Sequence, residues 1–188
     1  MHNLIHTTPE AFTVWSYQQG SFQQISREDL LGHWSVLFFY PADFTFVCPT
    51  ELADLAEQYP NFQAEGCEVY SVSEDTHFVH KAWADASETI RKISYPMLAD
   101  PTGTLAKMFG VLDESQGQAF RATFVLNPQA QVVLYEVNDM NIGRNAEELL
   151  RKVQAARFVA EHGDQVCPAK WKPGEETLTP SLDLVGLL

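Results

Sequence analysis

The residues Trp34-Ser35-Val36-Leu37-Phe38-Phe39-Tyr40 form an almost unbroken apolar and aromatic run. It is short and rich in aromatics, so it reads as a strand buried on both faces, at the centre of a sheet with helices on each side. Pro41 ends it, because proline has no N–H to give to a strand ladder. A loop, Ala42 to Val47, leads into Cys48-Pro49-Thr50-Glu51. From there Leu52, Leu55, Ala56, Tyr59 and Phe62 recur at the spacing of one helical face, and Gly66 stops the pattern. A buried strand, a short loop and an amphipathic helix are the building unit of a layered α/β fold. Open α/β sheets keep their sites at such a junction, and Cys48 stands in it.

Upstream, Phe12 to Trp15 and Phe22 to Ile25 flank Gln18-Gln19-Gly20 and predict a hairpin. Ser26, with Glu28 and Asp29 behind it, marks a helix start. Downstream, Cys67 to Val72 and Tyr95 to Leu98 read as strands, and Thr76 to Ala86 and Thr104 to Met108 as helices. Ala122 to Leu126 and Val132 to Val137 read as a second hairpin across Asn127-Pro128-Gln129-Ala130. Asn145 to His162 is the longest helical pattern, with Leu149, Leu150, Val153 and Ala156 on one face and Gly163 beyond its end. Asp164 to Leu188 has three prolines and no long periodic stretch, which predicts an extended arm. Its Val166, Trp171, Leu178, Leu182, Leu184 and Val185 make it too apolar for a free tail, so it is expected to dock. Together these elements predict an α/β fold with a mixed sheet.

The 188 residues carry 12 Lys and Arg against 25 Asp and Glu, a net charge of −13. Such a surface repels phosphate backbones and anionic membranes, so neither nucleic acid nor membrane is expected as a partner. No apolar run approaches the ~20 residues that span a bilayer. Met1 to Phe12 contains no Lys or Arg and no apolar stretch of the kind a secretory leader needs, so a cytoplasmic location is expected. The three cysteines, Cys48, Cys67 and Cys167, are too few and scattered for a disulfide scaffold. They are packing groups, metal ligands or redox-active thiols.

Pro49 suits the first helical position, where its missing N–H would have no partner. Cys48 therefore sits at or just before the first turn, where free N–H groups and the helix dipole favour negative charge. A thiol there is expected to ionise below the free value of about 8.5 and become a nucleophile. Thr45 can bring a hydroxyl close to the sulfur, and Pro41 can shield the pocket. A thiolate attacking a weak O–O bond needs no metal cluster. The bland alternative is that Cys48 is a small buried hydrophobe, as most free cysteines are.

The arrangement Pro41-x-x-x-Thr45-x-x-Cys48 on a strand–helix turn resembles that of the peroxiredoxins, and Phe38 to Glu51 (FFYPADFTFVCPTE) is similar to their typical two-cysteine group. The likeness continues through Val69 to Trp83, Asp100 to Val111, Arg121 to Gln129 and Ile142 to Ala155. Val166 to Gly186 resembles the arm of the bacterial alkyl hydroperoxide reductase C branch. The resemblance implies a thioredoxin-like fold with an N-terminal hairpin addition and an extended C-terminal arm: residues 1–163 as the peroxiredoxin domain and 164–188 as the arm.

It implies a thiol peroxidase that reduces hydrogen peroxide and alkyl hydroperoxides. Cys48 would be the peroxidatic cysteine, with Pro41, Thr45 and Arg121 completing the peroxide pocket, and Glu51 and Arg144 a polar pair holding the helix and Arg121. Cys167 would be the resolving cysteine, bonding to Cys48 of a second chain. Phe44 and Val79 match contacts between dimers in a decamer of five dimers. The reductant would be a flavoprotein disulfide reductase of the alkyl hydroperoxide reductase F type, or a thioredoxin. No cofactor is expected on this chain, which lacks a Gly-rich dinucleotide motif of its own. Cys67 reads as structural, and His77 and His80, despite their spacing, as part of a helix rather than metal ligands. Of the competing readings, a thioredoxin-type oxidoreductase lacks its Cys-x-x-Cys, because Pro49-Thr50-Glu51 follow Cys48. A peroxide sensor or holdase chaperone remains, to be told from an enzyme by catalytic turnover.

Overall fold

The structure, a computed structural model, describes residues 3–187. Its central strand is β3 (Trp34–Phe39), the run on which the fold was read, and all six residues are buried. β1 (Thr13–Gln18) and β2 (Ser21–Ser26) form the N-terminal hairpin. They are joined by β4 (Cys67–Ser73), β5 (Met97–Ala99), β8 (Arg121–Leu126) and β9 (Val132–Asn138) in one seven-stranded sheet of order β2-β1-β5-β4-β3-β8-β9. β3, β4 and β5 run parallel, while β1, β8 and β9 are antiparallel to their neighbours. The central parallel strands are covered on both faces, as their continuous apolar character requires.

Alternation along β3 divides its side chains between two layers. Leu37 and Phe39 share a core with Tyr70, Val72 and Leu98 of the sheet and Leu105, Ala106 and Phe109 of and beside α3 (Thr104–Met108). Within it Phe39, Phe109 and Phe124 pack as a triangle with ring centroids 4.6–5.8 Å apart. α1 (Cys48–Ala64) packs on β4 and buries Leu52, Leu55, Tyr59 and Phe62, the face the periodicity predicts. Gly66 ends it at φ +64°, a left-handed conformation in which a side chain is strained. α2 (His77–Ala86) starts at Thr76, whose hydroxyl accepts from the Val79 N–H, and packs on β1 and β5.

Three local expectations are corrected. The strand read at Tyr95 is only Met97–Ala99, because Pro96 cannot donate to the ladder. Tyr95 turns inward instead and its hydroxyl donates to the Leu52 carbonyl, 2.9 Å. Ser26 opens a single 3-10 turn, Arg27–Leu30, since Leu31 is already extended and Gly32 turns at φ +84°. A small hairpin, β6 (Leu112–Asp113) with β7 (Gln118–Ala119), was not expected, because two-residue strands leave no periodic trace.

The chain divides into two compact units, one ending at Ala146 and one starting at Glu147. The second holds nearly all of α4 (Ala146–Glu161) together with the residues after it. Within this unit Trp171 is buried, and Val166 pairs with Leu178 through two backbone hydrogen bonds. Leu182, Val185 and Leu187 are 91%, 77% and 76% exposed.

Candidate functional site

Cys48 is the first residue of α1, 1% exposed, with Pro49 behind it at the helix start. β8 runs antiparallel to β3 with Ala122 opposite Phe39. Arg121 is thereby set level with the end of β3, where the chain enters the loop to Cys48. Arg121 Nη1 lies 3.4 Å from Cys48 Sγ, although 73 residues separate them. The same nitrogen donates to Glu51 Oε2 at 2.6 Å, and Nε donates to the Met140 carbonyl at 2.6 Å, so the guanidinium is fixed on two sides.

Glu51, one helical turn after Cys48, is held from the other side by Arg144. Its Oε1 accepts from the Arg144 backbone N–H at 2.9 Å and from Nε at 2.8 Å, and its Oε2 from Nη2 at 3.1 Å. Arg144 Nη1 donates to the Ala122 carbonyl and the Thr123 hydroxyl, and the guanidinium carbon lies 3.3 Å from the centroid of the Phe38 ring. A buried ion pair needs this many hydrogen bonds to offset lost hydration. Burial disfavours the charge on Glu51, but the hydrogen bonds and charge of Arg144, and then the charge of Arg121, hold its carboxyl below the usual range. Two guanidiniums against one carboxylate leave one positive charge beside the sulfur. Gly143 passes close over Val47 and Glu51, where a β-carbon would meet Val47 at 3.4 Å.

The loop between β3 and α1 is tied down by a buried polar network. Tyr40 donates to Asp43 Oδ1 at 2.6 Å, and His80 Nδ1 meets Asp43 Oδ2 at 2.8 Å. His80 Nε2 faces the Leu98 carbonyl at 3.1 Å. The Asp43 N–H donates to Asp75, which also accepts from Ser73. Pro41 is buried, and the Thr45 hydroxyl donates to the Ala42 carbonyl at 2.8 Å. Phe44 sits at φ +55°, a conformation rarely tolerated by a bulky residue, with its ring 5.8 Å from Trp83 and 55% of its surface exposed. Sequence reasoning missed Asp43, Asp75 and the role of His80. The available signal was Tyr40, since a buried tyrosine directly after a wholly buried strand requires a partner for its hydroxyl.

The remaining candidates lie elsewhere. Val79 is half-buried on the first turn of α2. His77 stacks on Trp15 rather than facing His80. Cys67 opens β4, buried, opposite Trp34. Cys167 belongs to the C-terminal unit, half-buried, its sulfur 3.9 Å from the Ala155 carbonyl.

A thiol on a helix start, under an arginine braced by a buried carboxylate, on a thioredoxin-like sheet, defines a class of cysteine peroxidase, and comparison with known proteins agrees. Residues 9–135 match the model of the AhpC/TSA family, and residues 155–186 match the C-terminal domain of 1-Cys peroxiredoxin. The chain belongs to the AhpC/TSA family; it is a peroxiredoxin, a thiol-dependent peroxidase among the oxidoreductases. It is 55% identical over 184 residues, 98% of either chain, to alkyl hydroperoxide reductase C of Salmonella typhimurium strain LT2. It is 54% identical over 175 residues to alkyl hydroperoxide reductase C of Bacillus subtilis strain 168, covering 93% of this chain and 94% of that one. Among solved structures it resembles Enterococcus faecalis AhpC with TM-score 0.87 and 62% identity, covering 89% of this chain and all of that one. It resembles the reduced 2-Cys peroxiredoxin of Plasmodium vivax with TM-score 0.91 and 28% identity, covering 97% and 96%. No helix among the described residues is long and apolar enough to cross a membrane.

Proposed function

We propose that Cys48 is the peroxidatic nucleophile of a two-cysteine cycle acting on hydrogen peroxide and alkyl hydroperoxides. The observation that carries this reading is the 3.4 Å approach of Arg121 to the Cys48 sulfur. The thiolate attacks the terminal oxygen of ROOH, the O–O bond breaks, and the departing oxygen takes up a proton to leave as ROH. Arg121 and the Thr45 hydroxyl orient the peroxide and stabilise charge on the leaving oxygen, a preorganised electrostatic effect. Pro41 shields the sulfur from water. Glu51 and Arg144 keep Arg121 and the first turn of α1 in register. The product is a sulfenic acid on Cys48.

Cys167, in the arm 164–188, then resolves it. Its thiol condenses with the sulfenic acid of Cys48 in a second copy of this chain, giving a disulfide and water. Both sulfurs are at least partly covered in this conformation, so the first turn of α1 and the arm must open for them to meet. An external dithiol restores both thiols by exchange. The reductant is a flavoprotein disulfide reductase of the alkyl hydroperoxide reductase F type, or a thioredoxin, and the working form is a homodimer that assembles into a decamer. A cycle that begins and ends with Cys48 and Cys167 as thiols suits the reducing cytoplasm.

Non-reducing electrophoresis after one equivalent of peroxide tests the proposal. The wild type should run as a disulfide-linked dimer. Cys167→Ser should abolish that band yet still consume one equivalent of peroxide, and Cys48→Ser should consume none. A crosslink that survives Cys167→Ser would implicate Cys67 and sink the assignment.

A further inference from the structure

The resolving step, as read above, requires Cys167 to leave the place it occupies on α4. Its sulfur lies over the Ala155 carbonyl. Arg151, four residues earlier, lies one turn away on the same face of the helix. Two of its nitrogens grip the two oxygens of Glu148, Nε at 2.7 Å and Nη2 at 2.8 Å. The third, Nη1, donates to the carbonyl of Trp171 at 2.9 Å. Trp171 closes the turn that directly follows Cys167: its N–H donates to the Pro168 carbonyl and its indole N–H to the Glu175 carbonyl, both at 3.1 Å. The indole is 3% exposed and its centroid lies 5.0 Å from that of Phe158. Cys167 and the turn that follows it are thus clasped to α4 by a sulfur contact, an aromatic contact and a charged hydrogen bond, while Leu182 and Val185 beyond them are exposed.

We infer that Arg151 is a positioning residue for the resolving step: its bond to the Trp171 carbonyl latches the arm to α4 and holds Cys167 parked until the latch opens. The inference rests on the reading of Cys167 as the resolving thiol. A disulfide brings sulfurs to about 2.05 Å and β-carbons to about 3.5–4.5 Å, which a thiol packed on Ala155 cannot do without leaving it. Burial pushes the parked Cys167 thiol up, with the Arg151 charge opposing. The parked sulfur is held against the Ala155 carbonyl, and release into water frees it to approach the sulfenic sulfur. Once free, it gives up its proton and attacks the sulfenic sulfur of Cys48. The S–O bond breaks, the hydroxide leaves and takes up a proton to become water. The Cys167 sulfur is oxidised by one unit and the Cys48 sulfur reduced by one. The observed rate of resolution is the fraction of open arm multiplied by the rate of attack, so weakening the latch accelerates resolution.

Stopped-flow mixing of the full-length reduced protein with one equivalent of hydrogen peroxide separates the two steps. Tryptophan fluorescence reports on the arm through Trp171 and on the Cys48 loop through Trp83, and dimedone trapping, which reports the lifetime of the sulfenic acid, isolates the second step. Loss of one charge-assisted hydrogen bond in Arg151→Ala should speed the second phase roughly tenfold and lower the trapped fraction, with the first phase unchanged. Arg151→Lys, which keeps one donor for the carbonyl, should fall between Arg151→Ala and the wild type. A second phase that stays the same or slows in both variants, with or without a fall in melting temperature, would overturn the latch. Cys167→Ser is the control for the underlying reading. If it still shows the second phase, Cys167 is not the resolving thiol and the latch falls with it; if it lacks that phase, the Arg151 variants alone decide.

Discussion

Arg121 meets two opposite demands with one nitrogen, donating to the Glu51 carboxylate and to the Cys48 sulfur. Glu51 aligns the guanidinium without neutralising the site, because Arg144 adds a second positive charge to the same carboxylate. The Nε bond to the Met140 carbonyl stops the side chain from swinging toward solvent. If Arg121 stabilises the leaving oxygen, Arg121→Ala should lower the rate of Cys48 oxidation by about 10²–10³, the usual loss when one such donor is removed. The check is the first stopped-flow phase together with iodoacetamide alkylation of Cys48 across pH. If both profiles are unchanged, Arg121 plays no part in the peroxide pocket.

At the scale of elements, the small β6–β7 hairpin is tied to the C-terminal end of β4 by Glu74, whose Oε2 accepts from the Ala119 N–H at 2.8 Å. Its other oxygen, Oε1, is buried without a hydrogen-bond partner, as is Oδ1 of nearby Asp100 at the end of β5. Burial pushes Glu74 up to about 7, with the negative charges of Asp100 and Asp75 adding to the effect. A carboxyl whose folded-state value is raised contributes stability that is complete below its ordinary value, 4.5, and is lost as pH rises through about 7. Glu74→Gln keeps an acceptor for Ala119 and never ionises. Its melting temperature should therefore exceed that of the wild type at pH 8, and the gap should narrow toward pH 4.5. With the group partly screened by solvent, about 1 kcal/mol is expected, or roughly 2–4 °C in a chain of this size. Thermal unfolding at pH 5 and pH 8 measures it; equal gaps at the two values would remove Glu74 from the account.

At the scale of the assembled molecule, Phe44 and Val79 are the proposed contacts between dimers. Phe44 presents an exposed ring beside the Cys48 loop. Next to Val79, Phe78 is 63% exposed and shares an aromatic patch with Phe22, His77 and Trp15. A patch of this kind is what an interface between copies buries. Val79 is the third residue after the Thr76 cap, where an aspartate is favourable within the chain because it faces the positive end of the helix dipole. Val79→Asp should thus leave each subunit folded and penalise only the contact, by several kcal/mol if the carboxylate is buried unpaired. Sedimentation velocity should show reduced wild type as decamers and the variant as dimers. Oxidation should shift the wild type toward dimers if, as proposed, forming the disulfide unwinds the turn that holds the Cys48 loop against its neighbour. A reduced wild type that stays dimeric at micromolar concentration would defeat the ring while leaving the chemistry of Cys48 intact.

The local pattern was enough to establish the buried strand at Trp34, the helix opening at Cys48-Pro49, the N-terminal hairpin and the periodic face of α1. Each depends on side-chain alternation or backbone capping within a few residues, which a chain carries in its own order. The resemblance pointed to Arg121, Glu51 and Arg144, but no spacing could bring them together. That took the antiparallel register of β8 on β3, which sets Ala122 opposite Phe39 and so delivers Arg121 to the end of the strand from 73 residues away. The Asp43–His80 pair and the unpartnered oxygens of Glu74 and Asp100 were invisible for the same reason: burial and partnership belong to the packed state. Trp171 was legible as a residue that must be covered, whereas Leu182 and Val185, equally apolar, are exposed. Composition states how much apolar surface a segment carries; only tertiary structure decides which of it finds a partner within the chain.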